Sequence, residues 1–269
     1  MKIGLFIPCY VDALYPEVGV STYRLLKSLG LDVEYPERQT CCGQPMGNAG
    51  FERMAGPLAR SFDELFSPYD YVVAPSASCA AYVRCFHPKM LGKAPLSPPE
   101  GGTIVSASKT IEAPSGAVRG ACAAGKTTDL VEFLHDIVKV TSLPARFPHK
   151  VSVHNSCHGV RELGLSSPSE RNVPRFNKII DLLQLVDGIE VVEPERPDEC
   201  CGFGGMFAVE EQAVSRRMGI DKVKRHVATG AEYVTGPDSS CLMHMQGIAE
   251  KEQIPVKFIH VAQILSAGI

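Results

Sequence analysis

Eight of the ten cysteines fall into two sets with the same internal order. The first runs Cys9, 31 residues, Cys41 and Cys42, 36 residues, Cys79; the second runs Cys157, 42 residues, Cys200 and Cys201, 39 residues, Cys241. Each doublet is followed by glycine, in "QTCCGQPMG" and in "DECCGFGGM". Neighbouring residues of an extended chain point to opposite sides, so a doublet serves one centre only where the backbone turns sharply. Gly43 and Gly202 permit that turn, because a residue without Cβ enters left-handed geometry readily. Two thiolates on one tight turn suit a multi-iron cluster, since each can take a different iron. A single zinc needs both sulfurs at about 2.3 Å from one ion, a more cramped arrangement. A disulfide within the doublet would be strained and easily reduced. Three chemistries stand open on these residues: an iron–sulfur centre, a zinc-binding scaffold, and thiol–disulfide exchange by the doublets.

The elements around the cysteines repeat as well. "LFIPCY" matches "VHNSCH", "TCCGQPM" matches "ECCGFGGM", and "VVAPSASCAAY" matches "VTGPDSSCLMH", so the chain reads as two copies with insertions. In the first copy "KIGLFIP", "DVEYP" and "YVVAP" read as strands. Helical patterns lie over "EVGVSTYRLLKSLG", ended by Gly30, over about 49–66, and from Ser78 onward. In the second copy "KVSVHNS", "IEVVEP" and "YVTGP" read as strands and "PVKFIHVAQIL" as a last strand and short helix. Helices are expected near "FNKIIDLLQLV", over 207–229 with a loosening at Gly219, and from "SSCLMHMQGIAEK". Such βα units favour parallel sheets with right-handed crossovers. The expectation is an α/β protein of two Rossmann-like lobes related by a pseudo-two-fold axis, residues 1–87 and 127–269. Residues 88–126, rich in Pro, Gly, Ser and Ala, read as an insertion or connection, with "GTIVSA" and "KTIEAP" as a candidate hairpin. Cys9 and Cys157 follow the first strand of each lobe, the doublets follow the second, and Cys79 and Cys241 open a helix after a later one. All then gather at the carboxyl edge of a parallel sheet, where ligands bind.

Net charge of −3 and the absence of a basic stripe argue against a nucleic-acid partner. The opening "MKIGLFIPCYVD" is broken by Pro8 and Asp12, too soon for a signal peptide, and no apolar run has transmembrane length. A cytoplasmic location is expected, and there ten cysteines point to metal or redox chemistry rather than a disulfide frame.

His244 lies one helical turn from Cys241 and is a candidate extra ligand; its plainer reading is a satisfied polar side chain. His154 and His158 flank Cys157 and carry the same two readings. Arg161 and Glu162 read as an exposed pair or a contact to a partner. Cys85 and Cys122 have no counterparts in the other copy and read as small buried hydrophobes. "CGFGG" lacks the strand–GxGxxG–helix setting of a dinucleotide site and reads as a tight turn. No Ser-His-Asp or paired-carboxylate set emerges, so no catalytic residue is assigned.

The stretches "IGLFIPCYVD", "CCGQP", "PSASCAA", "SCHGVRELG", "CCGFGGMF" and "SCLMH" carry a family resemblance. Their pattern resembles the cysteine-rich CCG domain found in heterodisulfide reductase and in the iron–sulfur component of glycolate oxidase, and within it the lactate utilization protein A group. The resemblance covers nearly the whole chain apart from 88–126. It implies an iron–sulfur electron-transfer subunit of a complex oxidising L-lactate, or a related 2-hydroxy acid, to pyruvate beside sister subunits. It implies that Cys157, Cys200, Cys201 and Cys241 ligate one 4Fe–4S cluster, and that Cys9, Cys41, Cys42 and Cys79 hold a second cluster or another metal such as zinc. The chain departs from the longer family pattern at Tyr82 and His244, where a fifth cysteine would stand. Four cysteines suffice for an ordinary 4Fe–4S cluster. It also lacks a ferredoxin-type cysteine run, which implies a separate iron–sulfur or flavin partner to pass electrons on.

Overall fold

A computed structural model describes residues 1–92 and 122–269. The candidate hairpin at "GTIVSA" and "KTIEAP" lies outside the described residues. The first lobe runs β1 (Lys2–Leu5), α1 (Cys9–Leu14), α2 (Pro16–Ser28), β2 (Asp32–Glu34), α3 (Gln44–Asn48), α4 (Glu52–Phe66), β3 (Tyr71–Ala74), α5 (Ala77–Met90), β4 (Thr127–Asp129) and α6 (Leu130–Glu132), which widens into a looser turn over Phe133–Val138. The second repeats it: β5 (Lys150–Val153), α7 (Cys157–Arg161), α8 (Lys178–Leu183), β6 (Glu190–Val192), α9 (Phe207–Glu210), α10 (Gln212–Ala228), β7 (Tyr233–Gly236), α11 (Ser239–Lys251), β8 (Lys257–His260) and α12 (Val261–Leu265).

Each lobe builds a four-stranded parallel sheet, in the order β2-β1-β3-β4 and β6-β5-β7-β8. The registers match, with Ile3 opposite Val33 and Tyr71, and Val151 opposite Val191 and Tyr233. The short apolar strands are the reason: Ile3, Leu5, Val72 and Val73 are buried on both faces, as are Val151, Val153 and Val234, which is the environment of a helix-covered parallel sheet. The strand order reverses between β1 and β3, and between β5 and β7, so each lobe has a switch point at its carboxyl edge. The α/β class and the paired lobes agree with the sequence reading. Among the described residues no helix is long and apolar enough to cross a membrane.

The lobe boundary needs correcting. Thr127–Asp129 pairs with Val72–Ala74 and so belongs to the first sheet, although the sequence alone places residue 127 at the start of the second lobe. The two lobes are also interleaved. α12 packs against α2 of the first lobe, α6 packs against α8 of the second, and α5 packs against α7. Leu25, Leu134, Leu182 and Ile264 accordingly share one core. Before α5 Ser76 caps the helix by accepting from Cys79 N–H; before α11 the equivalent Asp238 instead accepts from the Ser76 hydroxyl (3.0 Å), the Ser78 hydroxyl (2.8 Å) and Ser78 N–H (2.9 Å) across the lobes.

The long helix of the second lobe breaks at Glu211, between α9 and α10, and not at Gly219. Gly219 lies inside α10, where a Cβ would collide with Ile248 and stand 3.3 Å from the Cys201 carbonyl. Its absence of side chain lets α10 approach α11 and the doublet. Gly219→Ala is therefore expected to cost about 1–3 kcal/mol by overpacking, read as a lowered midpoint of urea unfolding; an unchanged midpoint would mean the two helices are not held this close.

Candidate metal centres at the sheet edges

In the first lobe Cys9 opens α1 directly after β1, following Pro8 in extended geometry. Cys41 and Cys42 end the segment after β2, and Gly43, at φ +91°, turns the chain into α3. Cys79 lies in the first turn of α5. Three separate connections thus deliver four sulfurs to one place. Cys9 Sγ lies 3.8 Å from Cys41 Sγ, and Cys42 makes thiol contacts with both Cys41 and Cys79. The second lobe repeats the chain of contacts: Cys157 touches Cys200, and Cys201 touches Cys200 and Cys241. There Ser156 caps α7 behind Cys157, and Gly202, at φ +90°, makes the turn after the doublet. Backbone N–H groups point at the sulfurs, from Gly43 to Cys41 (3.4 Å), Gly202 to Cys200 (3.3 Å) and Phe203 to Cys201 (3.5 Å).

All ten cysteines are free thiols. Crowding splits their acidities in the same way in both lobes. Cys41 is driven down by hydrogen bonds from Cys42 and Cys9, and Cys200 by those from Cys157 and Cys201. Their neighbours are driven up: Cys9 by its bond to Cys41 and by burial, Cys157 by its bond to Cys200 and by burial, and Cys42 and Cys201 by bonds to the flanking thiols. In each set the doublet's first thiol is thus the more acidic, favoured as thiolate by the thiols around it. A cation among the sulfurs would release the remaining protons, since a coordinating thiol is deprotonated outright.

Residues beside the two sets meet across the lobe boundary. Gln44, two residues after Cys42, reaches His158, next to Cys157, at 3.4 Å between Nε2 atoms. Tyr10, next to Cys9, meets the ring of Phe203 edge-on at 6.1 Å. His158 therefore bridges the lobes. Arg161 pairs with Glu170 at 2.8 Å, and Glu162 accepts from Cys85 Sγ at 3.6 Å. Cys85 and Cys122 join neither sulfur set.

Around the sulfurs the lobes differ. In the first, Phe6 packs edge-on against Phe62 and Phe66 at 5.1 and 5.8 Å. Tyr82 stacks on Phe86 with its hydroxyl buried and unpartnered; burial and the nearby Cys42 push it up to about 12. In the second, Lys222 is fully buried, and its ammonium donates to the carbonyls of Arg196 (2.9 Å) and Pro197 (3.0 Å). Burial lowers it to about 8, opposed by Glu199 and by Cys201 among others. This buried cation was not singled out from the sequence; a Lys on the inward face of α10 was the available signal. His244 has its ring bonded to the Ser215 carbonyl, and its Nε2 is buried without a partner. His154 is buried with both ring nitrogens unpartnered, and one of them lies within 4.8 Å of the sulfurs of Cys201 and Cys241.

The cysteine-rich domain family, CCG, matches residues 3–84 and 151–246, once per lobe. Three relatives named lactate utilization protein A are each 35% identical to this chain. They come from Bacillus mycoides (99% of this chain, 97% of the relative), Halalkalibacterium halodurans (99% and 97%) and an Exiguobacterium species (100% and 98%). Among solved structures a putative Asp/Glu racemase from Yersinia pestis aligns over 99% of this chain and 96% of its own at 11% identity and a TM-score of 0.37, too distant to bear on function. Two cysteine-rich repeats, and relatives matched end to end at this identity, place the chain in the lactate utilization protein A family of CCG proteins.

Proposed function

We propose that the chain is the iron–sulfur electron-transfer subunit of a cytoplasmic complex that oxidises L-lactate, or a related 2-hydroxy acid, to pyruvate. That oxidation releases two electrons and two protons, and the chain's part is to carry the electrons. The carrying observation is the convergence of four sulfurs in each lobe from three separate stretches of chain, in an unbroken line of thiol contacts at a sheet edge. Four cysteine sulfurs fit the donor set of a 4Fe–4S cluster. Cys9, Cys42, Cys157 and Cys201, whose crowding and burial favour the protonated thiol in the absence of a cation, fit a site built around metal. Cys9, Cys41, Cys42 and Cys79 would hold one group, and Cys157, Cys200, Cys201 and Cys241 the other. Such a cluster, when bound, supplies one-electron storage. The protein's contribution is placement. Cys42 and Cys201, each 2% exposed, keep one side of each site dry, Lys222 offsets negative charge beside the second, and the Gln44–His158 and Tyr10–Phe203 contacts hold the two sites together. The lactate substrate rests on the names of the relatives, and sister subunits, including a separate iron–sulfur or flavin carrier, would bring substrate and final acceptor.

A second reading has an observation in its favour: Cys41 and Cys200, each an acidified thiol in contact with another, resemble the attacking sulfur of a thiol–disulfide oxidoreductase. Anaerobic purification separates the readings. The expected product is brown, with about four iron and four acid-labile sulfide for each loaded lobe. A colourless protein with stoichiometric zinc would replace the proposal with a scaffold. A metal-free protein whose doublets cycle reversibly between thiol and disulfide would replace it with the thiol enzyme.

A further inference from the structure

We infer that the second sulfur set is a mixed sulfur–nitrogen site, in which His154 supplies a ring nitrogen to the metal held by Cys201 and Cys241, while the first set binds through sulfur alone. The inference rests on the reading of both sets as metal centres.

His154 continues β5, its N–H donating to the Thr235 carbonyl at 2.7 Å, and its side chain is 1% exposed. A neutral imidazole carries one donor and one acceptor, and buried polar groups are otherwise nearly always paired. Here neither nitrogen has a partner. Such a ring calls for an occupant, either a buried water, as other unpartnered groups of this chain such as Thr235 and Ser239 would take, or a metal. Position decides between them. A ring nitrogen of His154 and the sulfurs of Cys201 and Cys241 all lie within 4.8 Å of one another, the group of at least three metal-ligating side chains found that close among the described residues. Donors arranged tetrahedrally at ordinary metal–sulfur and metal–nitrogen lengths stand about 3.5–3.8 Å apart. The three side chains need to close by no more than about 1.3 Å to share an ion.

The surroundings make room for the ring. Gly236 ends β7 beneath it, and a Cβ there would stand 2.9 Å from the His154 carbonyl oxygen and 3.6 Å from its Cδ2. The corresponding residues of the first lobe are Ala74 and Phe6, and Phe6 offers no donor. His226 packs edge-on to His154 with ring centres 6.0 Å apart, itself tied through Nδ1 to the Ser152 hydroxyl at 2.8 Å. That ring contact, rather than a hydrogen bond, limits the rotation of the His154 side chain. His244, the extra donor suggested by sequence, is outside this group: its ring is already committed to the Ser215 carbonyl, and its Nε2 faces Gly219. A 4Fe–4S cluster has four terminal positions, so His154 would take one of them in place of one of the four thiolates, and exchange of an anionic thiolate for a neutral imidazole raises the potential of an iron–sulfur centre. The second lobe would then be the more readily reduced of the two, giving electrons a direction through the chain.

The test uses the full-length protein, purified anaerobically with Cys42→Ser to leave the second set as the loaded one, chemically reduced, and grown with 14N- or 15N-labelled histidine. Pulsed EPR is expected to show a strong nitrogen coupling that scales with the isotope, is lost in His154→Phe and His154→Gln, and persists in His158→Gln and His244→Gln. Persistence in those last two variants narrows the donor even if the His154 variants fold poorly. Bound iron with only weak, matrix-level nitrogen coupling overturns this inference and leaves the electron-transfer reading standing. So does a coupling that survives in a folded His154→Phe. A protein without iron in either set overturns both.

Discussion

Serine at Cys201 is expected to strip the second lobe of metal and leave the first loaded, so that iron and acid-labile sulfide per chain fall by about half. Cys201 is 2% exposed and sits in the middle of its set, touching Cys200 on one side and Cys241 on the other. A buried serine hydroxyl keeps its proton at neutral pH, and a neutral oxygen does not replace a thiolate as a soft ligand. Cys42 occupies the same central place in the first set, so Cys42→Ser should remove the complementary half and the double variant all of it. Cys85→Ser and Cys122→Ser test whether the loss is specific to the sets, and both should keep full metal content. Serine keeps the shape of cysteine and can still accept from Phe203 N–H, so the metal-free forms of wild type and Cys201→Ser should unfold at similar temperatures, while the loaded wild type unfolds higher, because what binds only the native state stabilises it. Full iron retention in Cys201→Ser, or iron loss in Cys85→Ser, would break the assignment of ligands to sets.

The sequence was most informative where chemistry and local geometry coincide. A doublet before glycine, repeated, announces a turn that only a functional site needs, and Gly43 and Gly202 do take the same left-handed conformation. The strands were legible because apolar runs such as "KIGLFIP" and "KVSVHNS" are long enough to show burial. Thr127–Asp129 was not: three polar residues become a strand only through pairing with Val72–Ala74, a contact from distant sequence that no periodicity displays. The interleaving of α12 with α2 and of α6 with α8 was invisible for the same reason. The break in the second lobe's long helix was misplaced because glycine has a low helix propensity, whereas Gly219 serves close packing and the chain bends at Glu211. At the site, spacing favoured His244 over His154, since one helical turn is easy to count. What separates them is distance to the sulfurs: a His154 nitrogen lies within 4.8 Å of those of Cys201 and Cys241, whereas His244 is turned to the Ser215 carbonyl of another helix.

The two doublet glycines share a conformation and yet should respond very differently to a methyl group. An alanine at either site must hold φ near +90°, which costs about 1–2 kcal/mol for an L-residue. At Gly43 the added Cβ would meet the Ala55 Cβ of α4 at 3.1 Å, an overlap relieved by a shift of a few tenths of an ångström, and Leu58 Cδ1 at 3.6 Å, an ordinary contact. At Gly202 it would meet the Ser215 carbonyl oxygen at 2.6 Å and Met218 Cβ at 2.8 Å, fixed parts of α10 that cannot yield unless the helix moves. Overpacking of that kind adds about 1–3 kcal/mol. Gly43→Ala is thus expected to lose about 1–2 kcal/mol and Gly202→Ala about 2–5 kcal/mol, measured by urea unfolding of proteins in the same metal state. The second variant should also bind less iron, because pushing α10 away from the doublet carries Cys200 and Cys201 out of line with Cys157 and Cys241. Equal losses in the two variants would mean that conformation alone, and not the approach of α10, makes glycine necessary after the second doublet. A Gly202→Ala protein with wild-type stability and full iron would show that neither does.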